Sequence, residues 1–170
     1  SSRFEPKMNA ADYRYVLDDK LLLPLFCVGV SNVRTPHTLF TVSEGMCFDE
    51  RKNLIDFHRI LPENVLGGDI PVIIKPVQDT SSGIGVEKVQ GIENIKKSLL
   101  LRKGQSVVVQ ECIAQNEQLN KLYPDAVNTF RVITYIWNGK IYHVPLALRI
   151  GQGGSFLDNA HAGGMFIGVS

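Results

Sequence analysis

Membrane-spanning length is the first thing the sequence lacks. Its longest apolar run, LLLPLFCVGV from Leu21, contains a proline and falls far short of the roughly 20 residues that a helix needs to cross a bilayer. No basic start precedes that run, so neither an anchor nor a signal peptide is expected. Charge of one sign is lacking too. Eighteen Lys and Arg stand against seventeen Asp and Glu, a net charge of +1, which leaves no global field to hold nucleic acid or an anionic membrane. Any anion has to be bound by local groups. Cysteine is scarce: Cys27, Cys47 and Cys112 are odd in number, have no metal-like spacing and lie in apolar settings. That usage favours buried, reduced thiols and a cytoplasmic location. Internal repeats and low-complexity segments are absent. What remains is 170 residues with 44% hydrophobic content, enough for the core of one ordinary domain or two small ones.

The pattern along the chain mixes helix and strand. Residues 11–31 read as a helix with a break, carrying Tyr15, Leu22, Leu25 and Phe26 roughly on one face, with Gly29 suited to a C-terminal cap. Extended pieces are expected around Leu39 to Val42, and RKNLIDFHRIL, from Arg51, as a short helix ending before Pro62. GGDIPVIIKPV is a turn followed by a β-branched run, the pattern of a buried strand, and VEKV forms a second short strand paired with it around a polar loop. GIENIKKSLLLRKGQ reads as an amphipathic helix stopping at Gly104, and SVVVQECI as the next buried strand. NTFRVITYIWNGKIYHVPLALRIG reads as two strands about an Asn138-Gly139 turn. The glycine-rich GGSFLDNAHAGGMFIGVS ends inside what looks like another strand.

Charge enters this apolar pattern at a few places. In PVIIKPVQDTSSGIGVEKV, residues 71–89, Lys75 interrupts a strand and a glycine-bearing loop follows. Gly83 and Gly85 let backbone N–H groups converge on an anion, Ser81 and Ser82 add hydroxyl donors, and Lys75 supplies a point charge. The plainer reading is an ordinary hairpin whose lysine reaches to water. No Gly-Lys-Ser/Thr closes the loop, so it is no Walker loop; VEKV follows in place of a helix N-terminus, so it is no Rossmann fingerprint. Three further features favour an anion. Glu111-Cys112-Ile113 ends a buried strand, where a carboxylate and free backbone groups suit adenine and ribose. Arg131 lies within the apolar strand VNTFRVITY, and Arg149 repeats the arrangement in LALRIG. Burying an arginine unpaired is costly, so each needs a phosphate or a buried carboxylate as partner.

The series of Asp19-Lys20, VIIKPVQDTSSGIGV, VVVQECI, VNTFRVITY, ALRIG and DNAHAGG resembles the ATP-grasp superfamily. Within it, the spacing of NTFRVIT, LRIG and DNxxxGG is most similar to the sugar-transfer associated ATP-grasp family, and more loosely to ribosomal-protein glutamate ligases. No one of these motifs is specific; their order from about residue 12 to the end is. The resemblance implies an α+β fold, two lobes with antiparallel sheets that grip ATP. It divides the chain into a helical lead-in (1–32), a small lobe with the phosphate loop (33–110) and part of a C-terminal lobe (111–170). It also implies ATP-dependent activation of a carboxylate as an acylphosphate, which an amine, thiol or hydroxyl then attacks. Carried over by position, Lys20 and Lys75 are nucleotide lysines, and Thr80, Ser81, Ser82, Gly83 and Gly85 belong to a lid over the phosphates. Glu111 and Ile113 match the adenine and ribose hinge, Arg131 and Arg149 face the phosphates or the acylphosphate, and Asn159 lies in the acceptor segment.

The magnesium that accompanies ATP in such enzymes is held by acidic and Asn residues after the glycine-rich segment. The sequence reaches Ser170 before any such pair, and Asp158, the late acid, reads as a turn former. The expectation is therefore a chain lacking the C-terminal end of the fold, or a nucleotide-binding remnant. Three functions compete: a ligase acting on a small-molecule or sugar-linked carboxylate, in polysaccharide or envelope-precursor modification; a small-molecule kinase on the same scaffold; and a noncatalytic nucleotide-binding module.

Overall fold

A computed structural model describes residues 18–56, 68–78, 83–160 and 163–169. The chain divides into two compact units, one ending at Cys112 and the other beginning at Ile113.

The first unit is built on five antiparallel strands. After a short helix α1 (Leu23–Cys27) come β1 (Thr38–Ser43), β2 (Met46–Phe48), β3 (Val72–Pro76), β4 (Glu87–Val89), helix α2 (Ile92–Leu101) and β5 (Val107–Glu111), in the sheet order β2-β1-β5-β3-β4. The β-branched runs VIIK and VVVQ become two of the three strands with neighbours on both edges. In β3, Val72 and Ile74 point to one face, where they pack with Phe40, Val89, Val107, Val109 and Ile95 of α2. Ile92, Ile95 and Leu99 of α2, spaced i, i+3 and i+7, form the helix face that covers this core. Leu100 and Leu101 lie on the opposite side and are exposed. The helix ends at Arg102, and Gly104 takes φ +85°, a conformation that an L side chain resists. Glu87 ties β4 to α2, accepting from Ser98 Oγ at 2.6 Å and pairing with Arg102 at 3.3 Å.

The second unit carries a short helix α3 (Glu117–Asn120) and strands β6 (Thr129–Arg131), β7 (Thr134–Trp137), β8 (Lys140–His143), β9 (Leu146–Ile150) and β10 (Met165–Val169). A three-stranded sheet, β10-β9-β6, is separate from the β7–β8 ribbon. The expected two strands about Asn138-Gly139 are thus four. The turn itself is as expected, with positive φ at both Asn138 (49°) and Gly139 (72°), as a two-residue turn of this hand requires. Beyond the ribbon the Val144 N–H still bonds Ile133 O at 3.0 Å, but Pro145 has no N–H to continue the ladder, and each arm breaks there. Asn128 anchors the unit from within. Its Nδ2 donates to the carbonyls of Leu119 and Tyr123, its Oδ1 accepts from the Gly151 N–H, and its own N–H donates to Gln115 Oε1. Gly151 is required beside it, since a Cβ there would lie 2.7 Å from that of Ala126.

Two helical expectations change. The described part of residues 11–31 is helical over Leu23–Cys27, where Pro24 sits in the first turn, and its earlier portion lies outside the described residues. Residues 51–56 are turn and bridge, not helix, because Leu54 pairs with Phe48 and extends the β1–β2 hairpin; residues 57–61 lie outside the described set. The cysteines are free but half-buried, and burial pushes the Cys47 thiol up.

Ile74 has no exposed surface and Ile136, on the ribbon, is 71% exposed. Ile74→Ala is expected to destabilise the first unit by about 2–5 kcal/mol, and Ile136→Ala to change stability by roughly 0.5 kcal/mol or less. Urea midpoints of the two variants check this.

Candidate active site

In the first unit the cations gather at the end of β3. Lys75 lies opposite Val108 of β5, which lies opposite Thr41 of β1, so the three form a row across the sheet on the face away from α2. Val108 and Thr41 are buried and Lys75 is half-buried. Two residues on, the Val77 carbonyl accepts from the Lys20 backbone N–H at 3.0 Å and from Lys20 Nζ at 3.4 Å. Asp19 completes the staple, accepting from Gln78 Nε2 at 2.7 Å and from the Leu21 N–H at 2.8 Å. Lys20 is thereby brought close enough to Lys75 to repel it. Burial first, and then the Lys20 charge, hold the Lys75 pKa below the ordinary lysine value of 10.5. Among the described residues no carboxylate forms an ion pair with Lys75.

The glycine turn stands beside this pair. Gly83 and Gly85 have φ of +78° and +73°, and a Cβ on Gly85 would lie 2.8 Å from Pro76 Cγ, so the turn closes onto β3 only as glycine. Thr80, Ser81 and Ser82 lie outside the described residues. Leu21, Pro76, Val77, Gln78, Ile84 and Gly85 line part of a cavity of about 1030 Å³, also bordered by Lys52 and Arg102. The side chains of Lys20 and Lys75 are not on its wall, although their chain neighbours are. At the far end of β5, Glu111 is exposed and accepts from the His37 backbone N–H at 2.9 Å. Ile113, the first residue of the second unit, is half exposed.

In the second unit the register sets Thr129 opposite Arg149 and Arg149 opposite Phe166, with Arg131 opposite Ala147. Arg131 and Arg149 therefore share one face of the three-stranded sheet. Their surroundings differ. Arg131 closes an edge strand and is exposed, so the argument from burial does not apply to it. Arg149 is 9% exposed and its Nη2 pairs with Asp158 Oδ1 at 3.0 Å, while its guanidinium lies 5.6 Å from the centre of the Phe166 ring. The other Asp158 oxygen accepts from Thr129 Oγ1. Of the two partners open to a strand arginine, Arg149 thus has a buried carboxylate. Asn159 is half-buried, and its carbonyl accepts from the Gly164 N–H at 2.9 Å. Gly164 is packed so closely that a Cβ would lie 2.3 Å from the Asp158 carbonyl oxygen.

Asp158, the buried partner of Arg149 and Thr129, is the residue that a turn-former reading passes over. A signal was present: residues 113–170 contain only three acids, Glu117, Asp125 and Asp158, against two strand arginines.

The family model for sugar-transfer associated ATP-grasp proteins matches residues 1–170. The chain belongs to that family. None of the curated proteins matches it. ATP-grasp proteins use ATP and a divalent metal in ATP-dependent ligation, and the antiparallel α+β architecture agrees with that fold. For the metal, the described residues do not fit: no group of three His, Cys, Asp or Glu side chains converges among them, and both oxygens of Asp158 are engaged.

The lysine pair has a pH signature. A lysine whose folded pKa is depressed binds fewer protons in the native state, so the penalty is fully expressed at neutral pH and is removed as pH rises from the folded pKa to 10.5. Lys75→Met is expected to melt above the wild type at pH 7, with the gap closing towards pH 10.5. Thermal melts across that range check the sign.

Proposed function

We propose that the chain binds ATP and acts as a carboxylate ligase through an acylphosphate. The observation that carries the reading is the convergence of Lys20 and Lys75 at the end of β3, beside the Gly83–Gly85 turn, with Lys75 held at a depressed pKa and in no carboxylate ion pair among the described residues. Two cations forced together in a partly dehydrated place repel, and a polyanion relieves both. In this reading Lys20, Lys75, Thr80, Ser81, Ser82, Gly83 and Gly85 hold the nucleotide phosphates, and Glu111 and Ile113 take the adenine and ribose. Residues 33–110 form the nucleotide lobe, entered through residues 1–32. Residues 111–170 contribute Arg131, Arg149 and Asn159 to the reacting groups.

The chemistry asks little covalent work of these residues. A substrate carboxylate oxygen attacks the γ-phosphorus, the bond to the β–γ bridging oxygen breaks and ADP leaves with that electron pair. The nucleophile then attacks the acyl carbon, losing its proton, and inorganic phosphate departs. Positioning and neutralisation of charge on the phosphoryl oxygens dominate both steps, and fixed cations supply them. Magnesium bound with ATP supplies further charge neutralisation, and no described residue is assigned to it. The substrate class we assign is a small-molecule or sugar-linked carboxylate, in modification of polysaccharide or envelope precursors in the cytoplasm.

Nucleotide binding is tested first. ATP at a hundredfold excess over its dissociation constant is expected to stabilise the protein by about 2.7 kcal/mol, and Lys75→Ala to abolish most of that shift while still folding. Absence of any shift with millimolar ATP in the wild type would refute the reading. Turnover is followed by ADP release with magnesium and candidate carboxylates. Arg131→Met is expected to lower it about 10²-fold with melting unchanged, because Arg131 is exposed and forms no ion pair among the described residues.

A further inference from the structure

The cavity of about 1030 Å³ lies at one end of the first unit's sheet, where β1 stops at Ser43, β3 stops at Pro76 and β5 begins after Ser106. All of its described lining belongs to the first unit. Much of the wall is apolar, with Leu21, Phe48, Val77, Ile84 and Leu101 on it. Ile84 and Leu101 are 67% and 79% exposed, so the fold itself does not cover them. Large apolar side chains left in water on a cavity wall favour a ligand whose own apolar body takes them out of it.

Three charged side chains share that wall. Lys52 and Arg102 are cations, and Glu87 is the carboxylate among the described lining residues. Glu87 is already engaged, its Oε2 accepting from Ser98 Oγ at 2.6 Å and from Arg102 Nη2 at 3.3 Å. One positive charge is left over. The Arg102 side chain is 15% exposed, and its Nη1 lies 3.8 Å from where a Cβ of Gly85 would be. Among the described residues its guanidinium donates to Glu87 alone. A guanidinium carries five N–H donors in a planar fork, so most of them are left for water or a ligand. A neutral apolar ligand laid over them strands those donors at a cost, whereas a carboxylate fills them two at a time.

We propose that this cavity is a binding site, separate from the lysine pair, for a monoanionic amphiphile: a carboxylate on an aliphatic or aromatic body. The carboxylate meets the open donors of Arg102 and the body covers Ile84 and Leu101. The volume suits it, at the upper end of the roughly 300–1,000 Å³ of small-molecule sites. Lys75 takes no part, because its side chain leaves β3 on the face opposite Ile74, and neither it nor Lys20 is on the wall. The inference stands on the first unit alone and does not depend on ATP binding.

The test is calorimetric titration of the full chain with decanoate and 2-naphthoate below micelle-forming concentrations, beside decanol and decylammonium. At least one carboxylate is expected to bind about 10-fold or more tighter than decanol, with decylammonium weaker still. Arg102→Met is expected to remove that preference, leaving the carboxylate no tighter than decanol. Leu101→Asp, at an exposed position, is expected to weaken the carboxylate about 10-fold or more with the far-ultraviolet dichroism unchanged, and it serves alone should Arg102→Met not fold. Methyl NMR places the ligand: the Ile84 and Leu101 resonances are expected to shift on titration. Saturating ATP is expected to leave the carboxylate affinity unchanged. No binding of either carboxylate, binding no tighter than that of decanol, binding that survives Leu101→Asp or a folded Arg102→Met, or unmoved Ile84 and Leu101 methyls overturns the proposal. Displacement by ATP also overturns it, because the cavity then belongs to the nucleotide site.

Discussion

Strand β5 is paired along both edges, with β1 on one side and β3 on the other, and every residue from Val107 to Gln110 is buried whichever face it points to. The first unit depends on this constraint. Val107 and Val109 face α2 and build the apolar core, while Val108 and Gln110 face the opposite side and form a lining between Thr41 or Thr38 and β3. Lys75 falls on that second face by parity alone: in a strand whose Val72 and Ile74 point to the helix, the next residue cannot. Its partial burial, and so its depressed pKa, follows from where β5 places its neighbour Val108.

The second unit solves a different problem, that of an arginine in the middle of a sheet. Arg149 has neighbours on both edges and cannot swing to water, as Arg131 on the edge strand can. A carboxylate has to come to it, and the segment that delivers Asp158 must double back tightly. The close approach of Gly164 to the Asp158 carbonyl makes that return possible. The glycines of DNAHAGG therefore have a packing reason as well as any role at a bound group.

Much of this was legible from residue pattern. The β-branched runs around Lys75 and Val108, the hairpin into VEKV, the helix stopping at Gly104 and the Asn138-Gly139 turn all have local causes, and each element forms where its cause lies. What was not legible depended on contacts between distant residues. RKNLID carries helical spacing, yet Leu54 is taken by Phe48 and the described part is turn and bridge. Arg131 and Arg149 sit in similar apolar strings, and only the order of strands makes one an edge residue and the other a buried one. Asp158 looks like a loop former in any window around it; its pairing with Arg149 and Thr129 is set by the three-strand register. The approach of Lys20 to Lys75 likewise comes from the Asp19–Gln78 staple, 59 residues apart in sequence.

The β7–β8 ribbon carries the chain's single tryptophan. Trp137 ends β7 beside the turn and is 62% exposed, and Tyr135 and Tyr142 stack across the same ribbon face with ring centres 5.3 Å apart. The first unit has no tryptophan at all. Intrinsic indole emission from this protein is therefore already red-shifted when folded and reports the ribbon, so the optical signal of the first unit's core has to come from its backbone dichroism instead.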